Sequence, residues 1–538
     1  MRRRARYAVL FSLCCGVPLL AENSAGLPAR SLNEVAQAGL AEIQVGMFHA
    51  AEVRIRAALA LHPDTSGAEA MILWGELGQA LQAQGKLADA ETCLRKAAAI
   101  GSQPGTAAPV AVALVLQNLG AVLEKRSDYK DAAQVYEQAR SILSSANLLQ
   151  SHCGGAITRG MATCALRQGR FADASHLIDN ALDIVQKADG AASADYGGAL
   201  ADKALIELES GSYEASLATG KAALAVQSTL AAADYERVGT LNNLGVALNL
   251  MGRPAEAQKY LRQSVELWRS RKPALPAIAP SALHNLAVAD VTLGQFDVAR
   301  DLELEALNVL EQIYGKQCFE QAASINNLGM IALDTGRTRE AQSLFKQASL
   351  LVGEFRGQDS PEYASTVSNL AAAQARQHHF REAVELEERA LSISKARLGA
   401  DHPAVASIEA NLGVELYNLK RFDQAEEHLL HAAAVQQQKL GESNAKLAGT
   451  LRSLALVFVA QKQPARASQL YTQAVNAMEN SRGGEFDPKL VTWLRELAVM
   501  LRQQGRFAEA ENQDLRATRL EVKNAIRLEK AARQQANS

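Results

Sequence analysis

The sequence predicts an all-α protein, an α-solenoid of about twelve helix-turn-helix units. Three observations carry this prediction. A short turn motif recurs about every 42 residues, apolar residues recur at helical spacing between the turns, and aromatic residues make up only 5% of the 538 residues. A fixed period of this length is typical of repeat arrays, and an Ala-rich, aromatic-poor composition favours closely packed helices over a sheet sandwich.

The recurring turn separates the two helices of each unit. GQFDVA at 294–299 and GRFAEA at 505–510 are clear copies of a Gly-x-Phe-x-x-Ala pattern. The turn positions are 46, 85, 127, 169, 211, 252, 294, 336, 378, 420, 462 and 505. Their spacing stays between 39 and 43 residues, which predicts twelve units.

The first helix of a unit precedes its turn and carries a small residue seven positions before it. The small residues are Gly78, Gly120, Gly245, Ala287, Gly329, Ala371 and Gly413. A Leu usually comes directly before, and a further apolar residue three positions earlier, so one buried stripe is expected. The small residue lets a neighbouring helix come close.

The second helix follows the turn and carries two Ala residues seven apart, as at Ala341 and Ala348. Seven residues are two helical turns, so both face the same way and permit tight antiparallel packing. Between units, Gly recurs every 42 residues at 315, 357, 399, 441 and 483. Such a Gly suits the end of a helix, and Pro361, Pro403 and Pro488 suit the start of the next.

The N-terminus has the pattern of a secretory signal peptide, residues 1–21. MRRRAR is basic, the stretch from Tyr7 to Leu20 is apolar, and small residues follow. Cleavage after Ala21 is preferred over Ala25, and the exported protein would be periplasmic or secreted. A lipid anchor on Cys14 or Cys15 is disfavoured because no small residue precedes either one in the expected place. No later apolar run is long enough to span a membrane.

Net charge and cysteine content argue against a nucleic-acid-binding protein, a disulfide-rich protein and a zinc-finger protein. The net charge is −2, with 56 basic and 58 acidic residues and no concentrated basic run, so no nucleic acid partner is expected. Four cysteines remain after cleavage, at 93, 153, 164 and 318. They form neither a disulfide framework nor a zinc motif, so buried free thiols are expected; a Cys153–Cys164 bridge is the one pairing that the spacing suggests.

The repeats resemble tetratricopeptide repeats. The resemblance rests on Trp74-Gly-Glu-Leu-Gly78, on the Gly-x-Phe-x-x-Ala turns and on the paired alanines. The 42-residue unit is similar to that of kinesin light chains, with the best match at residues 398–441. The resemblance further implies that the solenoid coils into a right-handed superhelix. We therefore expect a repeat array over residues 32–520 and a charged C-terminal capping helix or tail over 521–538. Repeats near 46 and 211 match least well.

Asparagine recurs two positions before the small residue of the first helix. We call this set the asparagine row: Asn118, Asn243, Asn285, Asn327, Asn369 and Asn411. Asn is a mediocre helix former, so its recurrence needs a reason. Three positions later lies the apolar row, which comprises Val246, Val288, Met330, Ala372 and Val414. In a solenoid whose first helices line the concave side, both rows would run along the inner surface.

The two rows suit an extended peptide, because a carboxamide can donate to a carbonyl and accept from an amide of any residue. The resemblance supports this, since similar proteins hold peptide backbones with an asparagine ladder. Selectivity would come from the apolar row and from His284, Tyr417 and Arg452. The alternative is that the asparagines bridge adjacent repeats or bind water.

No catalytic motif, phosphate-binding loop or cofactor fingerprint is present in the sequence, so no cofactor and no enzyme activity are expected. The pairs His378-His379 and Asp401-His402 lie in turn and loop positions, and a metal or catalytic role for them is disfavoured. The sequence predicts a non-catalytic scaffold that binds a protein or peptide partner. The alternatives are an enzyme or regulatory subunit with a cleft between repeats, and a self-associating scaffold that organises the envelope. The oligomeric state is not predicted.

Overall fold

The computed structural model describes residues 32–62, 66–103, 105, 107–230, 234–270, 279–314, 318–481 and 488–536. These residues form 24 α-helices and no strand, which confirms the predicted α-solenoid of two-helix units. The predicted signal peptide lies outside the described residues. The helices are α1 Leu32–Gln44, α2 Phe48–Leu61, α3 Gly67–Ala83, α4 Leu87–Gly101, α5 Pro109–Lys125, α6 Tyr129–Ser145, α7 His152–Arg167, α8 Phe171–Asp189, α9 Ala194–Glu209, α10 Tyr213–Ser228, α11 Asp234–Leu250, α12 Pro254–Ser270, α13 Ala279–Thr292, α14 Phe296–Tyr314, α15 Gln321–Asp334, α16 Thr338–Arg356, α17 Pro361–Arg376, α18 Phe380–Leu398, α19 Pro403–Asn418, α20 Phe422–Leu440, α21 Ala445–Ala460, α22 Pro464–Glu479, α23 Pro488–Gln503 and α24 Phe507–Ala536.

The turn inside each unit is left-handed at the position that the sequence pattern singles out. All twelve predicted turn residues have positive φ, and eight of them are Gly. Gly tolerates this conformation because it lacks a Cβ. The other four, Ser127, His378, Lys420 and Lys462, have φ between 61° and 67°.

The chain divides into two compact units. Among the described residues, the N-terminal unit comprises Leu32–Leu250 with Glu256–Ser270, and the C-terminal unit comprises Ala279–Ala536 with Met251–Ala255. Each unit has its own apolar core between successive helices. Ile55, Leu94 and Leu143 are fully buried in the first, and Phe345 and Tyr471 in the second.

Inside a helix pair, the small residue of the first helix faces a large residue of the second, sixteen positions later. A Cβ placed on Gly329 would lie 2.6 Å from Phe345, and one on Gly413 would lie 2.5 Å from Leu429. The same pairing joins Gly120 to Tyr136. Gly is therefore needed here for close approach of the two helices, as the sequence pattern indicates.

The odd-numbered helices line the inner side of each stack. In the C-terminal unit, α15, α17 and α19 each contact the next odd-numbered helix as well as their own pair partner. Among the described residues, successive even-numbered helices make no contact of similar extent. Helices on the concave side of a stack lie closer together than those on the convex side, so the helices that carry both predicted rows form the inner layer of each stack.

The joins between units follow the predicted pattern where they are described. Gly357, Gly399 and Gly441 have φ of 88°, 85° and 83° and end α16, α18 and α20. The Ser360 hydroxyl accepts a hydrogen bond from the Tyr363 amide at 3.2 Å and caps α17. The predicted joins at 315 and 483 lie outside the described residues.

The four cysteines among the described residues are free thiols, and all four are buried. The possible Cys153–Cys164 bridge is therefore wrong, and burial raises the pKa of the Cys153 thiol to about 11. At the other end of the chain, α24 runs without a break from Phe507 to Ala536, across the predicted boundary at residue 520. Among the described residues, no helix has the length and apolar character needed to cross a membrane.

Candidate peptide-binding face

The asparagine row lies in the middle of odd-numbered helices, and its exposure changes along the chain. Asn118 and Asn243 in the N-terminal unit are 4% and 5% exposed, so their amides are buried. In the C-terminal unit, Asn285, Asn327 and Asn369 are half-buried and Asn411 is exposed. Only the C-terminal part of the row therefore presents amides near the surface.

Three amides of the row bind the preceding repeat. Asn369 donates through Nδ2 to Asn326 Oδ1 at 2.7 Å, and Asn411 donates to Ser368 Oγ at 3.4 Å. Asn327 Nδ2 lies 3.1 Å from His284 Nδ1. In each case the partner stands 43 residues earlier, directly before the row position of the previous repeat. The alternative of bridging between repeats is thus present in the structure. Asn411 also hydrogen-bonds Glu387 of the preceding repeat.

The same position carries charged pairs where Asn is absent. Asp202 takes the row position in α9 and accepts a hydrogen bond from Arg159 Nη2 at 2.9 Å. Glu496 takes it in α23 and pairs with Arg452 at 3.0 Å. In these two repeats, as in those of Asn327, Asn369 and Asn411, the row position is a polar link between successive odd-numbered helices.

Buried carboxylates lie beneath the row in the C-terminal unit. Glu303 and Glu387 are both 0% exposed and stand sixteen residues after Ala287 and Ala371, where other units place Leu, Phe or Tyr. Glu303 accepts a hydrogen bond from Asn327 at 2.8 Å.

The second of these carboxyls is hydrogen-bonded and strongly perturbed. Glu387 accepts a hydrogen bond from Ser368 Oγ at 2.9 Å. Burial, reinforced by repulsion from Glu415, raises the pKa of Glu387 well above its usual value, although hydrogen bonds from Ser368 and Asn411 act in the other direction. Burial also raises the pKa of Glu415, to about 8.

The apolar row is exposed on the same face. Val288 and Met330 are each 37% exposed and Val414 is 39% exposed, whereas Ala372 and Val246 are half-buried. Three large apolar side chains at equivalent positions of α13, α15 and α19 thus reach the surface of one unit. Isolated exposed apolar residues need no explanation, but a row on one face is typical of a binding surface.

The residues expected to add selectivity have structural contacts of their own. His284 forms an ion pair with Glu303 at 3.1 Å when protonated. Tyr417 packs against Phe422 with ring centroids 5.8 Å apart, and Arg452 is engaged by Glu496. Of the three, Tyr417 is the one whose described contact is made by its ring and not by a polar atom.

The histidine pairs that the sequence drew attention to do not gather metal ligands among the described residues. His379 contacts Gln374 at 3.0 Å, and His402 accepts the Ala404 amide at 3.1 Å as the cap of α19. Sequence analysis missed a different group, His152, Asp189 and Asp195, because His152 stands 37 residues before Asp189 and no short-range motif links them.

A family model described as the tetratricopeptide repeat matches residues 69–145, 236–312, 278–349, 320–396 and 404–480, and a second model of the same description matches 490–520. Together these matches cover more than half of the chain. The chain belongs to the tetratricopeptide repeat family. The sequence-based resemblance is thereby confirmed. Tetratricopeptide repeats generally mediate protein–protein interactions and typically form non-catalytic scaffolds.

Several solved structures are similar to this tetratricopeptide repeat protein. BtubC (BKLC) from P. vanneervenii is 25% identical, with a TM-score of 0.37 over 43% of this chain and 91% of that one. A putative kinesin light chain from Podosopora anserina with nearly identical TPR-like repeats is 22% identical, with a TM-score of 0.33 over 39% and 98%. The APC/C hetero-tetramer Cut9–Hcn1 is 13% identical, with a TM-score of 0.36 over 87% and 96%. No curated protein matches the chain.

Proposed function

We propose that this tetratricopeptide repeat protein is a non-catalytic scaffold that binds an extended segment of a partner protein on the inner face of its C-terminal unit. The segment lies along two rows of side chains. These are Asn285, Asn327, Asn369 and Asn411 from the asparagine row, and Val288, Met330, Ala372 and Val414 from the apolar row. The observation that carries the proposal is the exposure of Val288, Met330 and Val414 at 37–39% on the odd-numbered helices.

The two rows would contribute different terms to binding. An amide carries two N–H donors and a carbonyl acceptor. The bonds of Asn327, Asn369 and Asn411 to the preceding repeat use Nδ2, so a peptide N–H would be met by Oδ1. Each net hydrogen bond to a peptide backbone contributes about 0.5–1.5 kcal/mol and is insensitive to sequence. The apolar row would add side-chain selectivity, because burial of apolar surface contributes about 25 cal/mol per Å².

The N-terminal unit is not included in this binding face. Asn118 and Asn243 are buried, and Val246 is half-buried. A peptide could not reach those amides without displacing packed side chains.

The proposal is tested by selecting peptides from a displayed random library against the mature chain. The affinity of an enriched peptide is then compared among variants by fluorescence polarisation. We expect Met330→Asp with Val288→Asp to weaken binding by about tenfold or more, which corresponds to about 1.4 kcal/mol.

Leu430→Asp provides the matched control, because Leu430 is 47% exposed but lies on the even-numbered helix α20. Its affinity for the selected peptide should stay within about twofold of that of the unaltered protein. Equal loss in both variants, or a library that yields no peptide, would contradict the proposal.

We also propose that the protein is exported, on the basis of the basic and apolar pattern of residues 1–21. Fusion of these residues to a reporter enzyme that folds only outside the cytoplasm should give an active reporter. Replacement of Leu10 and Leu13 by Arg should abolish its activity, because the apolar segment is then interrupted. Equal activity of the two fusions would contradict export through this segment.

A further inference from the structure

Three side chains with metal-binding atoms meet at the join between two repeats of the N-terminal unit. His152 is the first residue of α7, Asp189 is the last residue of α8, and Asp195 is the second residue of α9. His152 Nδ1 lies 3.1 Å from Asp189 Oδ2 and 3.1 Å from Asp195 Oδ2. One ligand atom from each of the three residues lies within 4.8 Å of the other two.

The separations fit one small cation bound to all three atoms. Zinc binds imidazole nitrogen and carboxylate oxygen at about 2.0–2.2 Å and prefers tetrahedral geometry. Two ligands at those bond lengths lie about 3.3 Å apart at a tetrahedral angle. The two observed separations of 3.1 Å are close to this value, so a cation requires only small side-chain movements.

The local charge also favours a cation. Arg159 pairs with Asp202 at 2.9 Å and lies 3.6 Å from Asp195 Oδ1, so it serves two carboxylates at once. Asp189 is the third carboxylate of this neighbourhood. Burial raises the pKa of the nearby Glu236 carboxyl on α11, and repulsion from Asp195 and Asp202 adds to this while Arg159 opposes it, so the neutral form of Glu236 is favoured. The three carboxylates of Asp189, Asp195 and Asp202 still exceed the charge of the single arginine.

Access to the group is sufficient for a metal ion to enter. The side chains of His152, Asp189 and Asp195 are 43%, 22% and 20% exposed. The imidazole is thus more exposed than the two carboxylates. Three protein ligands with an open side leave a fourth position for water.

We propose that His152, Asp189 and Asp195 form a zinc-binding site, with water as the fourth ligand. The ion would join α7, α8 and α9 and thereby fix the join between two successive repeats. In the absence of zinc, His152 Nδ1 lies within hydrogen-bond distance of both carboxylates.

The test uses the full mature chain without an affinity tag, stripped with EDTA and titrated with Zn²⁺ by calorimetry at neutral pH. We expect one equivalent to bind, and we expect His152→Gln and Asp189→Asn each to weaken binding by about tenfold or more. His176→Gln is the control, because His176 is exposed on the same helix as Asp189 but thirteen residues away. It should bind zinc like the unaltered protein.

A second measurement does not depend on any variant. Co²⁺ added to the unaltered protein should give the strong visible absorption of a four-coordinate ion, without a sulfur-to-cobalt charge-transfer band. Such a band would assign the metal to a cysteine and overturn the proposal. Absence of zinc binding, equal binding by the His152 and His176 variants, or tighter binding of Ca²⁺ than of Zn²⁺ would overturn it as well.

Discussion

Four of the twelve turns place a residue with a Cβ in the left-handed conformation. Ser127, His378, Lys420 and Lys462 have φ of 67°, 63°, 61° and 61°. The left-handed conformation costs a non-glycine residue about 1–2 kcal/mol, because the Cβ crowds the following carbonyl. The sequence already marks these positions, since eight sister turns carry Gly there.

Replacement of Lys420 by Gly should stabilise the protein by roughly 0.5–1 kcal/mol, because relief of strain outweighs the greater freedom of Gly in the unfolded chain. The free energy of unfolding is measured by urea denaturation. Glu427→Gly, at an exposed position within α20, is the control and should lower stability by about 1 kcal/mol. A loss of stability in Lys420→Gly would show that the turn does not need a left-handed residue.

At Gly329 the need for glycine comes from the lack of space beside the residue and not from its backbone conformation. An added Cβ would lie 2.6 Å from Phe345, so Gly329→Ala should destabilise the protein by about 1–3 kcal/mol. Gly449 lies within α21 and has no heavy atom within 4 Å of such a Cβ. Gly449→Ala should therefore stabilise the protein, by up to about 1 kcal/mol. Thermal unfolding of both variants checks the pair, and equal shifts would contradict the close contact with Phe345.

At the scale of helices, α18 and α19 bury two carboxyl groups that repel one another. Glu387 is 0% exposed and Glu415 is 3% exposed. One oxygen of each, Oε2, has no hydrogen-bond partner in the structure. Burial therefore favours the neutral acid in both, and the pKa of Glu415 rises to about 8 while that of Glu387 rises well above its usual value.

Stability should consequently fall as the pH rises. Both groups have a folded-state pKa above the unfolded value, so the folded protein binds more protons between the two values. The stability associated with their neutral forms is present at acidic pH and is lost as the pH rises through the folded pKa, which is about 8 for Glu415. Each group contributes at most about 1.4 kcal/mol per pH unit to this slope.

The double variant Glu387→Gln with Glu415→Gln should flatten the decrease in urea midpoint between about pH 5 and about pH 8.5, because neither amide titrates. Glu388→Gln, an exposed neighbour on α18, should leave the decrease unchanged. A double variant with the unaltered pH profile would show that the two carboxyls are already ionised in the folded protein.

The link between α15 and α17 can be measured separately from any partner. Asn369 donates to Asn326 at 2.7 Å, so the single replacements Asn326→Ala and Asn369→Ala should each cost stability, while the double replacement should cost less than their sum. A coupling of about 0.5–1.5 kcal/mol is expected from a double-mutant cycle. Strict additivity would contradict the link and leave solvent as the main partner of both amides.

At the scale of the molecule, the sequence predicts the array well and the details of the inner face poorly. Turn positions, small residues and capping prolines are fixed by local backbone geometry and repeat every 42 residues, so a single sequence reveals them. Asn118 is buried and Asn411 is exposed, and this difference depends on the side chains of neighbouring repeats. The hydrogen bond from Asn369 to Asn326, 43 residues earlier, also depends on a neighbouring repeat.

Buried acids such as Glu387 were missed for a related reason. A Glu within a helix is normally expected to be exposed to solvent. The one signal of burial was that Glu387 stands sixteen residues after Ala371, the position at which sister units carry Leu or Phe. The group of His152, Asp189 and Asp195 forms across three helices, so no local pattern announces it. Features that depend on contacts between repeats therefore need the structure.

The most direct test of the proposed binding face is photo-crosslinking in the native cell, with a photoreactive amino acid placed at Met330 on α15 or at Leu430 on α20. Both side chains are exposed, at 37% and 47%, so their access to solvent is comparable. Binding along the inner face predicts a discrete crosslinked partner from position 330 and none from position 430. A partner captured from 430 alone, or equally from both positions, would contradict it.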